Sequence, residues 1–168
     1  DTTESRGLGD VYKRQPDEFA RRHPGGALGA ALRPIGSMLR FRVGEGVEAI
    51  PSSTPIRTAL RTAREASEGR RSGALLLTDD HGVLEGIMTD GDLRRLLLDN
   101  PEAIDGPASE SMTKNPRTLQ EDEPLREAER LVRTHRVDEI PIVDAEGRPV
   151  GLLDVQDLIT LKVVRDPS

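Results

Sequence analysis

The strongest constraint on what this chain can fold into is an internal repeat. Residues Glu85–Arg95, reading EGIMTDGDLRR, are echoed 65 positions later by Gly151–Leu158, reading GLLDVQDL. Gapless alignment of Gly73–Leu93 with Asp138–Leu158 pairs Asp79 with Asp144, Gly82 with Gly147, Gly86 with Gly151, Asp92 with Asp157 and Leu93 with Leu158. Self-similarity of this kind marks two copies of one supersecondary unit. A length of 168 residues suits two small units sharing a core.

Local signals give both copies the same order of elements. In the first, Thr54-Pro55 opens a helix whose apolar residues Ile56, Ala59, Leu60 and Ala63 fall at i, i+3, i+4 and i+7, on one face. In the second, Asp122 and Pro124 precede a helix carrying Leu125, Ala128 and Val132 on the equivalent face. Short strands are expected over Ala74–Thr78 and Val83–Met88, and again over Glu139–Val143 and Pro149–Leu153. DDHG and DAEG between them are glycine-containing turns of hairpin length. Helices over Gly91–Leu98 and Gln156–Val164 follow each second strand directly. Pro55 aligns with Pro124 at an offset of 69 rather than 65, so the first copy carries four extra residues, expected in a surface loop around Glu68–Arg71. The expected fold class is α/β: two pseudo-symmetric β-α-β-β-α repeats with a cleft between them.

Composition narrows the function classes. Net charge is −6 and the arginines are interspersed with carboxylates rather than gathered in a basic patch, which disfavours nucleic-acid binding. Aromatic residues are limited to Tyr12, Phe19 and Phe41, so platforms for stacking bases are nearly missing and the core must be aliphatic. No apolar run approaches the roughly 18 residues of a membrane span, and no secretory leader pattern is present. With no cysteine there is neither a disulfide framework nor a thiolate metal site. A cytoplasmic protein without membrane partners is expected.

A nucleotide needs acceptors for its ribose hydroxyls, donors for its phosphate and an apolar slot for its base, and the junction TDGD supplies the first two. Asp92 offers two acceptor oxygens for ribose hydroxyls, Thr89 a hydroxyl donor for a phosphate oxygen, and the helix-start N–H groups near Gly91 further donors at the positive end of the helix dipole. Arg94 and Arg95 could assist a phosphate, though neighbours on a helix cannot both face one cleft. The competing explanation is a capping pair, in which Thr89 and Asp92 serve only the helix N-terminus. At the second copy Asp157 keeps the ribose-type carboxylate, while Asp154 replaces the hydroxyl. That carboxylate repels a phosphate but suits an N-cap, so the second site is expected to be weak, empty or selective for another ligand. His81 lies in a turn and His135 near a helix end, both expected exposed, and no metal-ligand spacing links them.

The tandem unit, with G-apolar-x-[ST]-x-x-D at its strand-to-helix junction, resembles a cystathionine-beta-synthase (CBS) domain pair, or Bateman module, over roughly residues 37–162. EGIMTDGDLRR looks more specifically like the first such domain of the arabinose-5-phosphate isomerases, and HPGGALG at His23–Gly29 is similar to the segment closing their catalytic sugar-isomerase (SIS) domain. The resemblance assigns Thr89 and Asp92 to a regulatory adenine or cytidine nucleotide, with Gly91 and Asp157 the further candidate ligand residues read from the helix starts, and it implies no required cofactor and a homo-oligomer. It also implies a catalytic role for His23 in aldose–ketose isomerisation; on its own, HPG is a helix-terminating turn. Ala30 stands where the family usually has arginine, so no role of that arginine carries over.

The organisation expected from all this is a sequencing-adapter scar or disordered polar terminus over 1–15, where DVYKRQ reads like a translated adapter end. The end of a SIS domain over 16–36, a first CBS domain over 37–105 and a second over 106–168 complete it. Residues 16–34 are expected to be poorly anchored without the rest of the SIS domain. Three functions compete: a nucleotide-sensing module attached to an isomerase, the isomerase itself with most of its catalytic domain missing from this chain, and a free-standing dimerisation or scaffold module.

Overall fold

A computed structural model describes residues 27–66 and 69–160. His23 and the expectations for residues 1–26 lie outside the described residues. The described chain forms helix α1 (Ala27–Leu32), strands β1 (Phe41–Val43), β2 (Gly46–Val47) and β3 (Ala49–Pro51), helix α2 (Ile56–Ala66), strands β4 (Ala74–Thr78) and β5 (Leu84–Thr89), and helix α3 (Asp90–Asp99). Then follow β6 (Thr113–Lys114), β7 (Leu119–Gln120), α4 (Leu125–His135), β8 (Glu139–Val143), β9 (Pro149–Asp154) and α5 (Val155–Thr160), with short 3-10 turns at Ile35–Met38, Pro101–Asp105 and Ala108–Glu110.

The helical faces behave as their spacing requires. Ile56 and Ala59 on α2, and Leu125 and Ala128 on α4, are fully buried, and Leu60, Ala63 and Val132 pack at the margins of the same clusters. The hairpins repeat each other in detail. Asp79 Oδ1 accepts from the N–H groups of His81 and Val83 at 2.8 and 3.0 Å, and Asp144 Oδ1 from those of Glu146 and Arg148 at 2.9 Å each. Gly82 and Gly147 complete the turns at φ of 81° and 84°, a left-handed conformation that glycine adopts without steric cost. The strand starting at Val83 in sequence begins at Leu84 in space, because Val83 N–H is bound by the Asp79 turn.

What sequence periodicity does not reveal is the strand order. One sheet runs β3-β4-β5-β6 and the other β2-β1-β9-β8-β7. Strand β1, which precedes the first repeat, pairs antiparallel with β9 of the second, placing Arg42 opposite Gly151. Strand β6, which precedes the second repeat, pairs antiparallel with β5 of the first, placing Lys114 opposite Gly86. Each repeat therefore completes its sheet with the other's leading strand. Matching backbone bonds reinforce the exchange: Leu125 N–H donates to Arg33 O and Ile35 N–H to Glu123 O, while Ile56 N–H donates to Gly106 O and Ala108 N–H to Thr54 O, all at 2.9–3.0 Å.

The aligned glycines explain how the exchanged strands fit so close. A Cβ at Gly86 would meet the Met112 side chain and the Thr113 carbonyl oxygen, and one at Gly151 would lie 2.5 Å from the Phe41 carbonyl oxygen. Residues 27–34 are better anchored than expected, since α1 packs against α4 and the adjoining Ile35 is buried in the second repeat's core. A third cluster of Phe41, Val47, Ala74, Leu76, Ile87 and Leu152 joins the two sheets, so the repeats share one interior. No helix of the described residues is long and apolar enough to cross a membrane.

Candidate functional site

Strand β5 runs directly into α3, and Thr89 stands at the junction with extended backbone, φ −94° and ψ 168°. Its Oγ1 accepts from Asp92 N–H at 3.1 Å, and Asp92 Oδ2 accepts from Thr89 N–H at 3.0 Å. This is a reciprocal capping box, which satisfies two backbone donors that the first helical turn leaves without carbonyl partners. The other carboxylate oxygen of Asp92 takes Arg95 Nη2 at 2.5 Å. Each oxygen keeps a further lone pair, so capping and ligand recognition are chemically compatible. Of the two arginines after TDGD, Arg95 lines the cleft beside exposed Gly91.

Two contiguous clefts open at this helix start and share Thr89, Asp138 and Glu139. One, of about 450 Å³, runs from Ile87, Thr89 and Asp92 to Thr113, Asn115, Pro116, Arg117 and Val137. It combines apolar surface from Ile87, Pro116 and Val137 with the Asp92 acceptors, the combination a base and its ribose require. The second, of about 470 Å³, reaches from Gly73, Asp90, Gly91 and Arg95 to the start of α5 at Asp154, Val155 and Gln156. Its wall is acidic. Burial pushes the Glu139 carboxyl above the usual carboxylate range, and the negative charges of Asp138, Asp154, Asp92 and Asp90 push it further. A phosphate in this cleft is therefore best placed against Arg95 and the α3 N-terminus.

The second helix start is built differently. Asp154 takes the capping position, its Oδ1 accepting from Gln156 N–H at 2.7 Å and Asp157 N–H at 3.3 Å. Asp157 Oδ2 returns only a long contact, 3.5 Å from Asp154 N–H. Asp157 is 9% exposed, and it is held by a residue that sequence reasoning missed. Arg40, just before β1, places Nε 3.1 Å from Asp157 Oδ1 and Nη2 3.6 Å from Asp154 Oδ2. Its guanidinium carbon also lies 4.5 Å from the centroid of the Phe41 ring, a cation–π distance. Burial lifts the Asp157 carboxyl above its ordinary range; Arg40 opposes the rise and Asp154 adds to it. No local signal marks Arg40, because its partners stand at the far end of the chain and meet it only through the strand exchange.

His81 and His135 are both exposed, the first in the β4–β5 turn and the second at the last residue of α4. Among the described residues, no group of three or more histidine, aspartate or glutamate side chains is placed to hold a metal ion.

The architecture defines a class: paired, pseudo-symmetric α/β repeats that exchange leading strands and present two helix starts to a common cleft. A family model described as CBS domain matches residues 44–99 and 108–163. The chain belongs to the CBS-domain family and carries two such domains in tandem.

Over 164 residues the chain is 30% identical to the arabinose 5-phosphate isomerase KpsF of Escherichia coli, an alignment covering 93% of this chain and 48% of that protein. It is 32% identical over 148 residues to the isomerase GutQ of Salmonella typhi, covering 88% and 44% respectively. It thus spans about half the length of the curated relatives it matches. Among solved structures, the CBS domain pair of protein MJ0100 in complex with 5'-methylthioadenosine and S-adenosyl-L-methionine superposes with a TM-score of 0.62 at 24% identity, covering 78% of this chain and 96% of that one. The AMP complex of CBS domain protein PAE2072 from Pyrobaculum aerophilum gives a TM-score of 0.61 at 23% identity, covering 77% and 97%. At these identities the likeness concerns the fold.

Proposed function

We propose that this chain is the nucleotide-sensing regulatory part of a sugar-phosphate aldose–ketose isomerase. The whole protein interconverts D-arabinose 5-phosphate and D-ribulose 5-phosphate, in the pathway that makes the lipopolysaccharide sugar Kdo. In this reading residues 16–36 end a SIS domain that contributes His23 to catalysis, residues 37–105 and 106–168 form the two CBS domains, and the protein works in the cytoplasm as a homo-oligomer. The observation that carries it is the first helix start. Thr89, Gly91, Asp92 and Arg95 line clefts with acceptors for ribose, donors for phosphate and apolar surface for a base, in a chain whose curated relatives include arabinose 5-phosphate isomerases. The regulatory ligand is an adenine or cytidine nucleotide, and binding shifts the isomerase between two states by its different affinity for each.

Titration calorimetry of the 168-residue chain with AMP, ATP and CMP tests the site. Wild type is expected to bind at least one of them, and Asp92→Ala to weaken that binding by about one to two orders of magnitude, since hydrogen bonds to a charged group contribute roughly 1.5–3 kcal/mol. Asp92→Asn keeps an oxygen for the cap but lacks the charge, so weakened binding at near-native stability assigns the residue a ligand role beyond capping. Absence of binding by every nucleotide rejects the sensing role. The isomerase assignment is tested separately by reading the gene upstream of Pro16, where an intact SIS domain is expected.

A further inference from the structure

We infer that Arg40 is an internal competitor at the start of α5, where a cleft ends against Asp154: its guanidinium holds the neighbouring Asp157 carboxylate, and a ribose that takes both oxygens of that carboxylate must displace it. The inference rests on the nucleotide-sensing reading above and concerns regulation of its second site.

Three observations converge on this role. The first is occupancy: Asp157 Oδ1 and Asp154 Oδ2 both face the Arg40 guanidinium, at 3.1 and 3.6 Å, and the same group lies against the Phe41 ring. The second is a break in the repeat. Gly86 is packed by Met112 and paired with Lys114, whereas Gly151 is packed by Leu39 and paired with Arg42. The exchanged segment is therefore one residue longer on the second sheet, in the stretch that presents Arg40. At the first site the corresponding stretch contributes Thr113, a short side chain that lines the cleft.

The third observation is connectivity. Arg40 belongs to the run from Ile35 to Val43 that joins α1, and everything N-terminal to it, to the second repeat. Arg42 in the same run donates to the Gly36 carbonyl, and Gly36 N–H to Glu121 O. A ligand that takes Asp157 from Arg40 therefore loosens the segment leading toward the N-terminus, which gives the second cleft a direct line to any domain placed there. Two sites related by pseudo-symmetry thereby acquire different work: the carboxylate of the first is met by Arg95, 70% exposed and on the same helix, and that of the second by Arg40, 36% exposed and brought in by the strand exchange.

The test uses the 168-residue chain with adenosine and cytidine, which carry no phosphate for Asp154 to repel. In an Asp92→Asn background that quietens the first site, Arg40→Ala is expected to bind one of these nucleosides about two- to fivefold more tightly than the background, the scale of a partly exposed ion pair that no longer competes. Arg40→Lys, which keeps the charge without the planar fork, should fall between them and stands in if the alanine variant folds poorly. Hydrogen exchange at the amides of residues 39–43 should rise when the cleft fills. Equal or weaker nucleoside binding in Arg40→Ala overturns the inference, because a purely structural or ligand-binding arginine gives that result. If wild type binds no nucleotide at all, the sensing reading fails on its own account. The latch is then judged on unliganded Asp157→Asn, where faster exchange at residues 39–43 supports it and unchanged exchange refutes it.

Discussion

The two helix starts are equivalent by position and opposite in electrostatic character. At the first, a neutral hydroxyl and one carboxylate cap α3, and the nearest cation, Arg95, comes from the next turn of the same helix. At the second, two carboxylates crowd the start of α5, and the balancing cation arrives from the segment leading into β1, which belongs in sequence to the other repeat. One backbone scaffold thus carries two sites whose local charges follow different rules. Duplication supplies the geometry, and single side chains set the charge at each helix start.

The exchanged strands offer the hardest test of that equivalence. Gly151→Ala pushes a methyl group to within 2.5 Å of a backbone carbonyl oxygen, whereas Gly86→Ala meets the flexible Met112 side chain and a backbone carbonyl oxygen at the longer distance of 2.9 Å. Overpacking costs about 1–3 kcal/mol, and Gly151→Ala is expected at the upper end with Gly86→Ala below it, measured by urea unfolding. Equal costs would mean that the two exchanges are equally tight and that the asymmetry resides in the helix starts alone.

The caps come next in size. Thr89→Ala removes the hydroxyl acceptor of the capping box and should lower stability by about 0.5–2 kcal/mol. Asp154→Ala removes a cap as well, but it also relieves the repulsion from Asp157, so its loss should be smaller by thermal unfolding. A larger loss at Asp154 would show that the carboxylate cap and its contact with Arg40 outweigh that repulsion.

The smallest expected effect is in pH dependence. Because Asp157 is pushed upward in the folded chain, mainly by burial, the native state holds its proton more tightly than the unfolded chain. That contribution is fully present below the unfolded aspartate pKa and is lost as pH rises through the interval up to the folded value. The stability difference between wild type and Asp157→Asn should therefore shift against wild type across that interval and level off above it. Arg40→Ala, by removing the opposing positive charge, should extend the interval upward. A difference that moves in the other direction would mean that Arg40 outweighs burial at this site.

Much of the molecule is legible along the chain because its signals are local. The helix faces at Ile56–Ala63 and Leu125–Val132 follow from the helical period alone, and the Asp-x-x-Gly turns follow from aspartate's reach to nearby N–H groups. Thr89 and Asp92 could be paired from their three-residue spacing, and the structure places them in the reciprocal cap that spacing allows. Strands β1, β2, β6 and β7 are only two or three residues long and carry no period to read. Arg40 lies beyond sequence reasoning for the same reason, since its partners are set by pairing between distant segments.

The sequence by itself determined that there are two copies of one α/β unit, where their helices and hairpins fall, and which residues stand at each helix start. Those features depend on interactions within a few residues, where side-chain chemistry and backbone geometry decide the outcome locally. Only the tertiary structure decided that the copies exchange their leading strands, that Gly86 and Gly151 must be small to admit them, and that Arg40 meets Asp157. Those depend on which distant segments pack together, a choice made by burying one shared core rather than by any short stretch of chain.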